Sequence, residues 1–353
     1  MKICFLAGAD SIHSKKWVQY FADKGHEVHW ISLTPNECGE ISNNLKLYLM
    51  PKAGLVDLFF KIFQVRKLIW KIKPDILHAH YAKLNGAIAA LSGFHPFVLT
   101  AWGSDVLIAP KFLTRRPFIK LSLSKADLIT CDAEHVKEAM IKLGASSEIH
   151  LIRFGIDTEK FSPNRLAIND FPVVISLRSL EPVYDVETLI RAIPLVAREF
   201  PHAKFIIVGK GSQEDYLKKL AKNLGIFDNV KFVGFLSNEE ILKYLRLSDI
   251  YVSTALSDAG IASSTAEAMA CQLPVVITDS GENKKWIKDS ENGFIVPVKN
   301  SKILAEKIIY LIENKNVREK FGQLGRKVIQ EKNDYYREME KMENLYKSLI
   351  GLL

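Results

Sequence analysis

The chain has 353 residues, of which 48% are hydrophobic and 25% are charged, as in ordinary globular proteins. This length exceeds what one hydrophobic core usually fills, so we expect two domains. No apolar run reaches the roughly 18 residues of a membrane-spanning helix, and the first residues resemble a strand more than a secretion signal. The four cysteines share no metal-ligand spacing. We therefore expect a reduced, cytoplasmic protein.

The positive charge is concentrated in the first half. Residues 1–165 carry 22 Lys and Arg against 15 Asp and Glu, whereas the remainder carries 26 against 25. A partner that is attracted by the positive charge should therefore bind the first half. We do not expect that partner to be a nucleic acid, because no recognised binding motif accompanies the charge.

Short apolar segments alternate with helical patterns along the first half. The predicted strands are KICFLAG, HEVHWIS, DILHAH, FVLTAW, ADLITC and EIHLIRF, with a helix near Lys15–Lys24. Such alternation is typical of parallel sheets whose strands are connected by crossover helices.

The polar stretch DTEKFSPNRLAINDFP interrupts the alternation, which then restarts with VVISL, KFIIVG, VKFVG, IYVST, PVVIT and GFIVP. We predict a Rossmann-like domain at 1–160, a second at 161–335, and a C-terminal helix at 336–353 that packs back toward the first domain. The segment from Ser301 to Leu353 is predicted as a long helical tail. Two doubly wound α/β domains should face one another, with ligands in the cleft beyond the carboxyl ends of the strands.

One carboxylate, Glu267, follows a run of small residues in SDAGIASSTAEAMA. Ser264 and Glu267 have the spacing of a capping box, which predicts that Glu267 folds back on its own helix. Gly260, Ala262 and Ser263 leave room for a phosphate at the helix start. Glu267 could also accept hydrogen bonds from the vicinal hydroxyls of a ribose, and the two roles are compatible.

The segment EAMACQLPVVITDSGENKKWIKDSENGFIVP resembles the donor-binding end of the retaining GT-B glycosyltransferases of family 4, also called glycosyl transferases group 1. Six further segments resemble that family in its order: SIHSKKWVQYFADKGHEVHWIS, DILHAHYA, LTAWGSDVL, IRFGIDTEKFSP, SLRSLEPVYDVETLIRA and FIIVGKGSQEDYLKKLA. Each match alone is weak, but their order along most of the chain is specific.

The resemblance implies transfer of a hexose-type sugar from a nucleoside diphosphate, with UDP favoured over GDP and with retention of the anomeric configuration. It implies that Glu267 holds the ribose and that Arg178 lies on the diphosphate, where a planar cation suits two oxygens. Backbone groups around Ala259, Gly260 and Ile261 would face the donor sugar. The remaining candidate donor-binding residues are Tyr184, Gly209, Lys210, Asp258 and Ser263.

The chain departs from the family pattern within this donor set. Tyr184 stands where members usually carry Lys, so one phosphate-directed cation is missing, and Lys210 is a possible substitute. Ala259 stands eight residues before Glu267, where the family has an acid. Asp258 either reaches the sugar or caps a turn.

A third departure concerns the acceptor side. Trp102 stands where members often have His; it cannot exchange a proton, but it can stack on a sugar face. Asp105 could orient the acceptor hydroxyl or the donor sugar, or it could cap the segment after it. Strand alternation puts His78 and His80 on one face, with His80 nearer the cleft, and His13 lies at the same rim. The candidate catalytic residues are Asp105, His80 and Arg178.

No carboxylate stands out as the nucleophile of a double displacement. The family resemblance implies front-face attack instead, in which the departing phosphate accepts the acceptor's proton. The chain has no D-x-D motif in a suitable loop. We therefore expect a metal-independent enzyme with no cofactor apart from its donor substrate.

Two basic segments rich in aromatic residues, Leu55–Lys73 and Pro110–Lys120, lie in the first half. They are consistent with crossover helices whose lysines extend toward water. Alternatively, they form a surface for an anionic membrane carrying a lipid-linked acceptor.

Our hypothesis is a glycosyltransferase that extends a glycan or glycolipid. Two alternatives remain open. A catalytically weak subunit could keep the fold as the binding partner of another transferase, and a GT-B sugar-nucleotide epimerase would need no acceptor.

Overall fold

The computed structural model describes residues 1–37, 39, 41–42, 44–50, 54–164, 170–258 and 260–352. Cys38 and Ala259 therefore lie outside the described residues. The chain divides into two compact units, Met1–Phe154 with Tyr336–Leu353, and Gly155–Tyr335. Within the described ranges, no helix is long and apolar enough to cross a membrane.

In the first unit, the described residues form a parallel sheet of seven strands in the order β3-β2-β1-β4-β5-β6-β7. The central strands are buried along their whole length, as expected where helices cover both faces of a parallel sheet. The strands are β1 (Lys2–Leu6), β2 (Glu27–Ser32), β3 (Leu45–Leu49), β4 (Ile76–His80), β5 (Phe97–Ala101), β6 (Leu128–Cys131) and β7 (Ile149–Leu151). The helices are α1 (Ile12–Asp23), α2 (Leu55–Ile72), α3 (Leu84–Ser92), α4 (Ser104–Leu107), α5 (Arg116–Lys125) and α6 (Glu134–Lys142).

In the second unit, the part of the chain that the structure describes forms a six-stranded parallel sheet in the order β10-β9-β8-β11-β12-β13. The strands are β8 (Val173–Leu177), β9 (Lys204–Val208), β10 (Val230–Gly234), β11 (Ile250–Ser253), β12 (Val275–Thr278) and β13 (Phe294–Val296). The helices are α7 (Val186–Glu199), α8 (Glu214–Asn223), α9 (Asn238–Arg246), α10 (Ser263–Ala270), α11 (Asn283–Trp286), α12 (Ser301–Glu313) and α13 (Lys315–Lys332). A final helix, α14 (Tyr335–Leu349), lies almost entirely in the first unit.

The prediction of two doubly wound α/β sheets is confirmed, and every predicted strand is present. The edge strand β3 was not predicted, because most of its residues are exposed or partly buried and its sequence lacks a long apolar run. The predicted helical tail is confirmed, and it is divided among α12, α13 and α14. Helix α12 ends at Asn314, and α13 ends at Asn333. The backbone carbonyl of Asn333 accepts a hydrogen bond from the backbone N–H of Ile156 at 2.8 Å.

Buried polar contacts fix α14 to the first unit. The hydroxyl of Tyr346 lies 2.5 Å from Nδ1 of His78, whose Nε2 lies 2.6 Å from Oγ1 of Thr100. The carboxylate of Glu338 accepts the backbone N–H of Arg153 at 2.8 Å. Because these side chains of β4, β5 and α14 are fully or almost fully buried, the contacts select one docking position for the helix.

Candidate functional site

The carboxyl edge of the second sheet collects most of the predicted donor residues. Arg178 follows β8, Gly209 follows β9, and Asp258 lies in the loop that leads from β11 into α10. Strands β9, β8 and β11 are neighbours in the sheet, so their carboxyl ends place these three loops side by side. Ligands of open parallel sheets bind at this kind of edge.

Arg178 is the centre of this cluster and is only 8% exposed. Its Nη2 donates a hydrogen bond to Oδ1 of Asp258 at 2.5 Å. On its other side, the guanidinium carbon lies 4.3 Å from the centre of the Tyr184 ring. A planar guanidinium can stack on an aromatic face and still donate in its own plane. Two partners therefore hold Arg178 in one orientation.

The electrostatics of this pair follow from its burial. Desolvation opposes the charge of Arg178, but the fields of Tyr251 and Asp258 and the hydrogen bond to Asp258 leave its pKa raised. Burial raises the pKa of Asp258, although Arg178 acts in the opposite direction. The charged carboxylate therefore depends on Arg178 for its stability in this loop.

Tyr184 is held in place by backbone contacts with the loop after β11. Its carbonyl accepts a hydrogen bond from Oγ1 of Thr254 at 3.1 Å, and the carbonyl of Val183 accepts the N–H of Leu256 at 2.8 Å. Asp185 adopts a left-handed conformation with a φ of 44°. Aspartate is one of the few residues that tolerates this conformation.

The loops after β8 and β9 are bound to each other through their backbones. Leu180 donates its N–H to the carbonyl of Lys210 at 2.9 Å, and the carboxylate of Glu181 accepts the N–H and hydroxyl of Ser212 at 2.9 and 2.6 Å. Gly209 has a φ of 134° and packs directly against the carbonyl of Arg178. This backbone packing fixes the starting point of the Arg178 side chain. The side chain of Lys210 is exposed.

The start of α10 differs from the sequence prediction. The N-cap residue is Ala262, and no side chain caps the helix, so the predicted capping box of Ser264 and Glu267 is wrong. The helix begins at Ser263, which places Ser264 and Glu267 inside it rather than at its boundary. Ser264 instead lies 2.9 Å from the hydroxyl of the buried Tyr251.

The other residues of the donor set lie around this helix start. Glu267 is half-buried, as are Gly260 and Ile261, whereas Ser263 is exposed. Ala259 is outside the described residues. Its neighbour Asp258, on which the alternatives were a sugar contact or a turn cap, is engaged with Arg178.

At the carboxyl edge of the first sheet, Asp105 joins two loops. It is fully buried, and its two carboxylate oxygens accept the backbone N–H groups of Ala82 at 2.7 Å and Trp102 at 3.1 Å. These contacts connect the loops after β4 and β5. Because Asp105 has no exposed surface, the geometry favours a positioning role over contact with substrate.

The remaining acceptor-side candidates belong to an aromatic cluster. Trp102 stacks on Phe154 with ring centres 4.4 Å apart and an interplanar angle of 13°, and His13 lies 4.3 Å from the same Phe154 ring. His80 packs edge-on against Trp102 and Trp17. Among the described residues, Nε2 of His80 and Nε1 of Trp102 lack a hydrogen-bond partner.

Burial keeps both histidines neutral near pH 7. Desolvation lowers the pKa of His80 to about 3, and Nδ1 of this residue lies 3.1 Å from Oγ of Ser14. Desolvation, with a contribution from Lys16, lowers the pKa of His13 to about 4. A neutral imidazole can accept or donate a hydrogen bond to a hydroxyl, but it does not carry a positive charge to the site.

Three residues of these clusters were not predicted as site residues: Tyr251, Phe154 and Trp17. Phe154 lies three residues after the end of β7, so its position beyond a strand's carboxyl end could have indicated it. Tyr251 is a fully buried strand residue, and its spacing alone does not distinguish it from core. Among the described residues, no group of three or more His, Cys, Asp or Glu is arranged to hold a metal ion.

Two family models match the chain. Residues 157–328 match the family described as Glycosyl transferases group 1, and residues 2–133 match Glycosyl transferase 4-like. The two matches cover the donor-side cluster and the strands of the first sheet as far as β6.

Relatives match over large parts of the chain. A glycosyltransferase of Methanocaldococcus jannaschii whose role is uncharacterized, MJ1178, is 27% identical over 90% of this chain and 89% of its own. The GDP-mannose-dependent alpha-(1-6)-phosphatidylinositol monomannoside mannosyltransferase of Mycolicibacterium smegmatis is 26% identical over 60% of each chain.

The crystal structure of HepE from Anabaena in complex with UDP has the same fold. It covers 99% of this chain and 100% of its own, with a TM-score of 0.80 and 19% identity. The predicted GT-B fold is thereby confirmed. With both family models matched in order along it, the chain belongs to the group 1 glycosyltransferases, family 4 of the GT-B fold.

Proposed function

We propose that the protein is a retaining, metal-independent hexosyltransferase whose donor is a nucleoside diphosphate sugar. The observation that carries this proposal is the buried, doubly supported Arg178 at the carboxyl edge of the second sheet. A fixed guanidinium at this edge suits a diphosphate, and the start of α10 adds backbone N–H groups nearby.

In the proposed reaction, the bond between the anomeric carbon and the diphosphate oxygen breaks as the acceptor oxygen attacks from the same face. The proton of the acceptor hydroxyl passes to the departing diphosphate. Arg178 stabilises the negative charge that grows on this leaving group. Glu267 holds the ribose, so that the donor is oriented before the chemical step.

Two relatives support this class of donor. HepE was solved with UDP-glucose, and the mycobacterial relative is named as GDP-mannose-dependent. UDP-glucose and GDP-mannose are both nucleoside diphosphate hexoses. We propose that this protein prefers UDP-sugars to GDP-sugars as donors.

We further propose that the aromatic cluster of the first unit takes the acceptor, a glycan or a lipid-linked sugar. The Trp102 and Phe154 rings offer a flat apolar surface for a sugar face. His80, which is neutral, would orient a hydroxyl rather than supply a charge.

The donor proposal is tested by thermal unfolding with UDP, GDP, ADP and their sugars. One nucleotide should raise the midpoint of the wild-type protein, because a ligand that binds the folded state stabilises it. Glu267→Ala should lose the extra shift that a nucleotide gives over inorganic pyrophosphate, which has no ribose. Glu306→Gln, an exposed carboxylate of α12, is the control and should shift like wild type. Equal shifts of the unfolding midpoint in Glu267→Ala and wild type would show that Glu267 does not hold the ribose.

A membrane surface is the second part of the proposal. Around the start of α5, Phe112, Leu113 and Phe118 are 52%, 81% and 51% exposed. Arg115 and Arg116 are exposed between them, and residues 106–126 contain no acid. Helix α3 packs against both α2 and α5, so the two basic segments share one layer. Exposed aromatic residues among cations suit an anionic bilayer surface, and we propose peripheral binding at a cytoplasmic membrane face.

Replacing Arg115 and Arg116 by Gln should weaken binding to vesicles that contain phosphatidylglycerol. Each basic residue near an anionic surface contributes about 1 kcal/mol, so the pair should cost roughly 30-fold in partitioning. Vesicle co-sedimentation measures this. The control is Lys302→Gln with Lys320→Gln, two exposed lysines of the second unit. Equal sedimentation of both double variants, or none of the wild type, would contradict a membrane surface here.

A catalytically weak binding subunit is the second candidate, because Asp258 already neutralises Arg178 and Tyr184 replaces a cation. The two candidates differ in turnover. A transferase releases the nucleotide from its sugar, whereas a binding subunit holds the donor without cleaving it.

A further inference from the structure

Arg178, the cation expected to bind the donor diphosphate, already forms an ion pair. Arg178 and Asp258 form an ion pair whose side chains are 7% and 11% exposed. Their contact is a direct hydrogen bond of 2.5 Å between Nη2 and Oδ1. A second anion that binds Arg178 through Nη2 must therefore compete with a carboxylate that is already in place.

Asp258 is held much less firmly than Arg178. Among the described residues, the side chain of Asp258 forms a hydrogen bond with Arg178 and with no other residue. Asp258 lies between β11 and α10, outside any helix or strand. Arg178, in contrast, keeps its stack on the Tyr184 ring and its backbone packing against Gly209 if the carboxylate leaves.

We propose that Asp258 is the resident counter-ion of Arg178 and that the donor diphosphate binds by displacing it, so that Asp258 sets the affinity of the site for anions. This inference rests on the proposed function. A phosphate group presents more oxygens and more negative charge to the guanidinium than one carboxylate does. The diphosphate therefore wins the exchange, but its affinity is lowered by the pair that it must separate.

Displacement of Asp258 should also affect Glu267, the residue proposed to hold the ribose. Asp258 belongs to the loop that enters α10 at Ser263, and Glu267 lies in the same helix. Displacement of Asp258 removes the ion pair that ties this loop to Arg178. Donor binding and the placement of Glu267 are then linked events, which would favour a complete nucleotide over free phosphate.

Asp258→Asn tests the exchange by calorimetry with UDP and with inorganic pyrophosphate. We expect both to bind about tenfold more tightly than to the wild type, because the amide leaves Arg178 without a competing charge. The control Glu319→Gln makes the same charge change at an exposed ion pair of α13 and should leave affinity unchanged. In the background of Arg178→Ala, the Asp258→Asn change should bring no gain.

The outcomes separate this inference from the function on which it rests. If the wild type binds UDP and Asp258→Asn binds it equally or more weakly, the exchange is wrong and the donor site stands. If neither protein binds any nucleoside diphosphate, the proposed function fails and this inference fails with it.

A structure of the wild type with UDP gives a second test that needs no variant. A phosphate oxygen should lie about 3 Å from the Arg178 guanidinium, with Asp258 beyond hydrogen-bond distance. An intact pair beside bound UDP would overturn the exchange even if Asp258→Asn did not fold.

Discussion

Replacing Arg178 by Ala should weaken binding of nucleoside diphosphates by roughly 10- to 150-fold, the factor that corresponds to about 1.5–3 kcal/mol for a hydrogen bond to a charged group. Arg178 is the buried cation at the carboxyl edge of the second sheet, and its orientation is fixed by Tyr184. The methyl group of Ala offers neither charge nor donor. Calorimetry with UDP measures the loss.

Two further variants make this result specific. Arg178→Lys keeps the charge but loses the planar fork and the stack on Tyr184, so it should fall between Ala and the wild type. Arg191→Ala removes a half-exposed arginine that pairs with Glu187 on α7, and it should bind UDP like the wild type. Circular dichroism should be used to check that each variant is folded. Undiminished UDP affinity in a folded Arg178→Ala protein would exclude this arginine from the donor site.

Gly209→Ala should destabilise the protein by about 3 kcal/mol, because a disfavoured backbone conformation and steric overlap each cost roughly 1–3 kcal/mol. Residue 209 has a φ of 134°, and a Cβ atom there would overlap the carbonyl of Arg178. Relief of that overlap separates the loops after β8 and β9 and moves Arg178 away from its partners. Urea unfolding measures the stability, and UDP binding by the folded fraction should also weaken.

Gly225→Ala is the matched control. This glycine of the same unit also has a positive φ, 69°, but a Cβ there would have nothing within 4 Å. Gly225→Ala should lower the free energy of unfolding by only about 1 kcal/mol, the cost of the left-handed backbone conformation for Ala. Equal losses for the two variants would show that close packing at Gly209 does not hold the loop.

The fold was predictable because the local signals agree with it. Many of the strands are short apolar runs, such as VVISL in β8 and VVIT in β12, and such runs are typical of parallel strands buried on both faces. The edge strand β3 lacks this signal, because Lys46 and Leu49 are exposed and only Leu45 is buried within the strand. Helix breaks were also missed. Asn314 and Asn333 end helices through backbone contacts, one of them with the distant Ile156, and such contacts have no periodicity in the sequence.

The candidate site was predictable only as a set of loops. The positions of Arg178 and Asp258 after two neighbouring strands follow from topology. Their direct contact does not, because the residues are 80 positions apart and the loop path decides the distance. The capping prediction for Glu267 failed for a related reason. The S-x-x-E spacing fits a cap, but the helix begins at Ser263 and Ser264 contacts Tyr251 from inside the first turn.

The central claim is that this chain cleaves a nucleotide sugar at a site built around Arg178. The most direct measurement is release of nucleotide from UDP-glucose, UDP-galactose, UDP-N-acetylglucosamine and GDP-mannose by the purified protein, with water or an added glycan mixture taking the sugar, beside Arg178→Ala. We expect one donor to release its nucleotide with the wild type, and no release above background with the variant. A folded wild-type protein that binds a donor without releasing the nucleotide, or that releases it equally well without Arg178, would contradict the account.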